Sequence, residues 1–288
     1  MRIITFFIFL IFLIKPFKIY ADSTLLAPYI ENLKIKVKED LKNKVPEDYI
    51  ESIFSSPQLT YLPNIMIKSL TWKETELPYS QFLENERMER AKAFIEENRT
   101  LLEDIEFIFG VEKEVIVAIF LVETDLGKKT GNFPVINVFY SLALSGEKEL
   151  FEKFINNSEI SLDEGNIKKR WEKRSNWGYK ELLYFIEIAY LNNWNPFSIK
   201  GSIFGAFGFP QFVPKSYLIY GYDWDNDGKV DLYSIPDALA SIANYLKKEG
   251  YKKEESLEYK KKIIMKYNIS EPYANTVLTI AEKLKKTK

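Results

Sequence analysis

Eight consecutive apolar residues, Val115 to Val122, run straight into an acid, Glu123. If the segment is a helix, Glu123 stands above Ile116, Ile119 and Phe120 on a face that must be buried. A carboxylate there is costly unless it is paired or protonated. Raising a carboxyl pKa by burial is also how enzymes keep a general acid at neutral pH. The opposite reading is a helix-end carboxylate neutralised by a nearby Lys or Arg. On the local sequence alone the two stand level.

The rest of the composition narrows the chemistry. The chain has 288 residues, enough for one large domain or two modest ones, with 46% hydrophobic and 28% charged residues, as in ordinary soluble proteins. It has no cysteine, which excludes disulfides, thiolate metal sites, a cysteine nucleophile and a lipid-modified cysteine. It has no histidine, which excludes Ser-His-Asp triads and His-ligated zinc. Acid–base work near neutral pH must fall to carboxylates, Tyr or Lys.

The N-terminus differs in kind. Met1-Arg2 is followed by an apolar stretch, Ile3 to Ile14, interrupted only by Thr5, and then by Lys15-Pro16 and Ile19-Tyr20-Ala21. The stretch is too short for a bilayer span, which needs about 20 residues. Residues 1–21 read as an export signal cut after Ala21, with an uncleaved anchor as the alternative. Cleavage removes three bases, Arg2, Lys15 and Lys18, and no acid; the remaining 37 bases and 41 acids leave a net charge of −4. That balance gives no reason to expect nucleic-acid binding. The Lys clusters at 247–262 and 283–288 read as solvated faces or a tail.

The pattern is mainly α. Helices are expected from Pro46, over 81–109, over 112–126 up to Gly127, and over 179–191, 236–248 and 272–286. Two loops stand out. In residues 201–212, Gly201, Gly205 and Gly208 alternate with aromatics, which fits either close approach of a ligand or tight packing. In residues 223–231, Asp223, Asp225 and Asp227 with Gly228 follow the start of an EF-hand calcium loop. Lys229 stands where a backbone carbonyl would ligate. The usual Glu at position 12 is replaced by Ser234, while Asp237 lies within reach on the next helix.

These pieces together resemble the B-type lytic murein transglycosylases, the membrane-bound lytic transglycosylase B family. The resemblance rests on Phe109 to Thr124, Gly127 to Gly131, Asn195-Pro196, Lys200-Gly201-Ser202, Gly205-Ala206, Gly208, Gln211-Phe212, Pro214 and Ser216-Tyr217. It continues through the Asp-rich loop, residues 241–245, Tyr267-Asn268 and Tyr273-Ala274, in family order over most of residues 80–285. It implies a lysozyme-like helical core over 101–250, an additional helical region over 22–100, and a C-terminal segment, 251–288, packed back on that region. It implies Glu123 as the catalytic acid, and Ser202, Gln211, Tyr245 and Tyr273 lining a glycan cleft. It implies structural Ca2+ held by Asp223, Asp225, Asp227, the Lys229 carbonyl and Asp237. Two departures are visible: residues 146–178 look longer than the family's connection, and 251–266 look shorter, so a β-rich subdomain should be absent or minimal.

The implied reaction needs one carboxylate. Asp125 lies about 200° round the helix from Glu123 and faces away. In the family, the glutamate protonates the bond between N-acetylmuramic acid and N-acetylglucosamine, and the substrate's 6-hydroxyl closes a 1,6-anhydro ring. The expected protein is exported to the periplasm or cell envelope, is a soluble monomer once the signal is cut, and acts on peptidoglycan strands. The alternatives are a hydrolase of lysozyme type and a non-catalytic, calcium-stabilised peptidoglycan-binding protein.

Overall fold

The computed structural model describes residues 23–72, 79–155, 160–162 and 164–286; the expected signal at 1–21 lies outside them. Among the described residues there are thirteen α-helices and one two-stranded pair, so the mainly helical expectation holds. The strands are β1 (Phe133–Pro134) and β2 (Lys200–Gly201), antiparallel with Phe133 opposite Gly201. Residues 257–267 form a helix, and no strand is described between 251 and 266.

Two helices that are apolar on nearly every side make the core, as the hydrophobic effect requires of such sequences. One is α6 (Lys113–Thr124), in which Val115 to Leu121 are all buried. The other is α7 (Val135–Leu144), which the sequence reading passes over; all its residues but Ala143 are buried. Against α7 lies α9 (Gly165–Leu191), a 27-residue helix twice the expected length. A Cβ at Gly178 of α9 would stand 2.4 Å from Leu142 Cβ, so only glycine permits that approach.

Of the N-terminal helices, α1 (Ser23–Leu41) packs on α2 (Glu47–Phe54), and both α1 and α3 (Asn64–Thr71) pack on α7 and α9. The single helix expected over 81–109 is instead a 3-10 turn (Tyr79–Leu83), α4 (Asn85–Glu97) and α5 (Arg99–Phe109). The break falls at Asn98, whose Nδ2 donates to the Phe94 carbonyl at 2.9 Å. An Asn side chain that competes for backbone partners in this way favours a helix end over a helix interior.

After α8 (Lys148–Ile155) and α9, the chain forms α10 (Pro214–Tyr220), α11 (Ile235–Lys248), α12 (Leu257–Tyr267) and α13 (Glu271–Lys285). α13 lies along α6 and also touches α12, α4 and the 79–83 turn. Tyr273, at the start of α13, meets Glu123 near the end of α6, and Lys285, at the end of α13, meets Glu112 just before α6. The two helices are therefore antiparallel.

Candidate active site

α6 ends at Thr124, two residues short of the Leu126 end expected from sequence. Asp125 and Leu126 both take left-handed backbone, φ 54° and 57°, which costs roughly 1–2 kcal/mol per non-glycine residue. The conformation is held from outside: Arg90 of α4 hydrogen-bonds the Asp125 carboxylate, and Arg87 Nε lies 3.7 Å from it. Thr124, buried, accepts from the Gly127 amide at 3.1 Å and donates towards the Phe209 carbonyl at 3.3 Å. The end of α6 is thus tied to the glycine-rich loop.

Glu123 sits on this anchored end, half-buried. The Tyr273 hydroxyl donates to its Oε1 at 2.6 Å. Tyr273 is buried, with its ring edge-on to Tyr79 at 6.3 Å. Tyr267 donates to the Pro210 carbonyl at 2.6 Å. Burial first, and then the nearby Glu123 charge, push both phenols well above the ordinary tyrosine value. Both therefore stay protonated at neutral pH, where they act as donors.

The other expected cleft residues are more dispersed. Ser202 Oγ accepts from the Phe204 and Ala206 amides at 3.3 and 3.2 Å, a local turn that leaves its hydroxyl hydrogen to give. Gln211, left-handed at φ 52°, donates from Nε2 to the Thr130 and Gly208 carbonyls. Beside them Thr130, Asn132, Ser198, Lys200 and Tyr233 line an open groove of about 420 Å³; Glu123 is outside its wall. Tyr245 differs from expectation in its polar end. Its hydroxyl donates to the Lys266 carbonyl at 2.6 Å, and its ring lies against Tyr267 (4.7 Å) and Tyr220 (4.2 Å). It supports Tyr267 from behind.

The glycines of 201–212 serve packing. A Cβ at Gly205 would stand 2.3 Å from the Phe139 ring, and one at Gly208 2.3 Å from Leu232 Cβ. The loop folds on itself through bridges from Phe207 to Gly201 and to Phe212.

In the Asp-rich loop, carboxylate oxygens of Asp223, Asp225 and Asp227 lie within 4.8 Å of one another. Gly228, at φ 87°, makes the turn; Asp223 accepts from the amides of Asp227 and Gly228, and Asp225 from that of Asp227. The Lys229 amide donates to Asp227 at 2.8 Å. Asp237 is 2% exposed and clamps the loop from α11, accepting from the Trp224 and Asp231 amides at 2.9 and 2.8 Å. Burial pushes its carboxyl above the usual range against those two bonds, and the Asp225 and Asp223 charges push the same way. An all-oxygen trio suits a hard cation such as calcium. Asp237 stands behind the trio with both oxygens already accepting.

A family model described as Transglycosylase SLT domain matches residues 31–262. The chain belongs to the transglycosylase SLT domain family. The match includes Glu123 and the Asp-rich loop and stops before Tyr267 and Tyr273. The membrane-bound lytic murein transglycosylase B of Escherichia coli is 29% identical over 150 residues, 52% of this chain and 35% of that protein. The aligned part is thus about a third of that relative's length. Among solved structures, SltB3 from Pseudomonas aeruginosa in complex with NAG-anhNAM-pentapeptide superposes with a TM-score of 0.71, at 19% identity over 89% of this chain and 80% of SltB3. The Escherichia coli lytic transglycosylase Slt35 in complex with calcium gives 0.69, at 18% identity over 90% of this chain and 93% of Slt35. The lysozyme-like fold of the transglycosylase SLT domain is therefore shared.

Within this SLT domain the structure brings Glu123 and Tyr273 together, and likewise the three loop aspartates. The sequence reading has Thr124 and Tyr267 in family motifs without a role, and it does not single out Tyr79 or the Arg90–Asp125 pair.

Proposed function

We propose that this SLT-domain protein is a peptidoglycan lytic transglycosylase with Glu123 as its one catalytic carboxylate. The observation that carries the reading is the hydrogen bond from the buried Tyr273 phenol to Glu123 Oε1, at the end of the apolar run of α6. It orients the carboxyl at the end of α6. Asp125, the nearest acid in sequence, is engaged by Arg90. A pair of catalytic carboxylates of the usual glycosidase kind is therefore not expected here.

In this reading Glu123 gives its proton to the oxygen linking N-acetylmuramic acid to N-acetylglucosamine, and the C1–O bond breaks with assistance from the 2-acetamido oxygen. The resulting carboxylate takes the proton from the 6-hydroxyl, and O6 bonds to C1. No water is consumed, and Glu123 ends as it began. The groove beside Gln211 and Ser202 offers hydroxyl, amide and ammonium groups suited to a sugar chain. The SltB3 complex with an anhydro-muramyl ligand supports the same product class. Replacement of Glu123 by Gln is expected to leave the melting temperature within a few degrees of wild type and to abolish release of muropeptides from purified peptidoglycan. Undiminished release by that variant would sink the assignment.

The Asp-rich loop, in the same reading, takes structural calcium on Asp223, Asp225 and Asp227, with the Lys229 carbonyl and Asp237 completing the set. The ion fixes the loop to α11 and plays no part in the chemical steps. Residues 1–21 fit an export signal, which puts the reaction in the periplasm or cell envelope. Among the described residues no helix is long and apolar enough to cross a membrane.

A further inference from the structure

The sequence reading treats Lys260 as part of a solvated basic face. The structure buries it. Lys260 Nζ donates to Glu112 Oε1 at 2.6 Å, with both side chains under one tenth exposed. Lys285 Nζ reaches the same oxygen at 3.1 Å, and the Tyr251 hydroxyl donates to Oε2 at 2.7 Å. Glu112, 2% exposed, therefore gathers three segments: the loop before α12, α12 itself and the end of α13.

The location gives the cluster its meaning. Glu112 precedes the first residue of α6, and Glu123 lies eleven residues on, about 16 Å away at 1.5 Å per residue. On α13, Lys285 and Tyr273 are twelve residues apart, about 18 Å. The antiparallel pair is pinned at both ends, by Glu112–Lys285 at one and by Glu123–Tyr273 at the other. Lys260 ties α12, which packs on α13, to the same carboxylate. A fully partnered buried ion cluster has one geometry, and removing one member leaves a charge unpaired.

We propose that Glu112 is a positioning residue: its contacts with Lys260, Lys285 and Tyr251 set the register of α13, on which α12 packs, along α6 and so hold Tyr273 on Glu123. The inference rests on the reading of Glu123 as the catalytic acid only where activity is the readout.

The test compares Glu112→Gln with wild type, Tyr273→Phe and the Glu112→Gln/Tyr273→Phe double variant, each at a temperature where it is folded. Lys285→Met is the milder second variant, because Lys285 is 44% exposed and its loss leaves the Lys260 pair intact. Amide hydrogen exchange over residues 271–277 is expected to rise by about tenfold or more in Glu112→Gln, and less in Lys285→Met, with α7 unchanged. Muropeptide release is expected to fall about tenfold in Glu112→Gln, but by less than about twofold when that change is added to Tyr273→Phe. Should Glu112→Gln fail to fold, the exchange rise in Lys285→Met decides. Unchanged exchange over 271–277 in the folded variants, or an undiminished further loss in the Tyr273→Phe background, overturns the proposal. Absence of any release by wild type would instead refute the functional reading, and exchange over 271–277 would still decide the role of Glu112.

Discussion

Two residues apart in sequence, Glu123 and Asp125 meet different chemistry. Asp125 is held by guanidinium groups from α4, while Glu123 accepts a hydrogen bond from a buried phenol. A helix-end acid neutralised by guanidinium groups is present at Asp125. Tyr273→Phe removes one hydroxyl and keeps the ring against Tyr79, so its stability cost should be about 1 kcal/mol. Its activity should fall by about tenfold or more, because the Glu123 carboxyl loses its orienting donor. Calorimetry and initial rates of muropeptide release check the two halves separately. Glu123 itself was legible because an eight-residue apolar run is a local signal. What Tyr273 does to it was not, because that contact spans 150 positions and depends on how α13 docks. Tyr245 shows the limit from the other side: a tyrosine can be placed by motif, but the Lys266 carbonyl that takes its hydroxyl belongs to another helix.

At the scale of elements, position in the chain decided what could be read. The Asp-rich loop was legible because alternating short carboxylates and one glycine close on themselves within a few residues, and three of its acids do converge. The glycines at 201, 205 and 208 were ambiguous, because Phe139 and Leu232, which settle two of them as packing positions, come from elsewhere. The sequence reads as one helix over 81–109 because the apolar spacing is strong on both sides of Asn98, whose side chain caps the end of α4. If the loop takes calcium, thermal stability should rise with occupancy, by about 2.7 kcal/mol at a hundredfold excess over Kd. Differential scanning calorimetry of wild type with calcium or chelator measures this. A double variant, Asp225→Asn/Asp227→Asn, should show no calcium-dependent shift, and an equal shift in both proteins would rule the loop out as the site.

Across the whole molecule, buried acids of opposite behaviour set the response to pH. Burial pushes the Glu112 carboxyl up, but Lys260, Tyr251, its own amide and Lys285 outweigh it and hold it below the usual carboxylate range. Such a group stabilises the fold at and above the ordinary carboxylate pKa, and that contribution is lost as pH falls through the depressed folded value. Glu181 and Asp237 are pushed up, chiefly by burial, and act with the opposite sign. Comparing wild type with Glu112→Gln isolates one group from the rest. The gap between their melting temperatures should be full near neutral pH and close progressively below about pH 4.5. A gap that stays constant down to pH 3 would show that Glu112 carries no linked proton.

The most direct test of the account is the mass of what wild type releases from purified peptidoglycan. One catalytic carboxylate, with the substrate's own 6-hydroxyl as the nucleophile, predicts muropeptides ending in 1,6-anhydro-N-acetylmuramic acid. Products heavier by one water, with reducing ends, would mean hydrolysis and would contradict it.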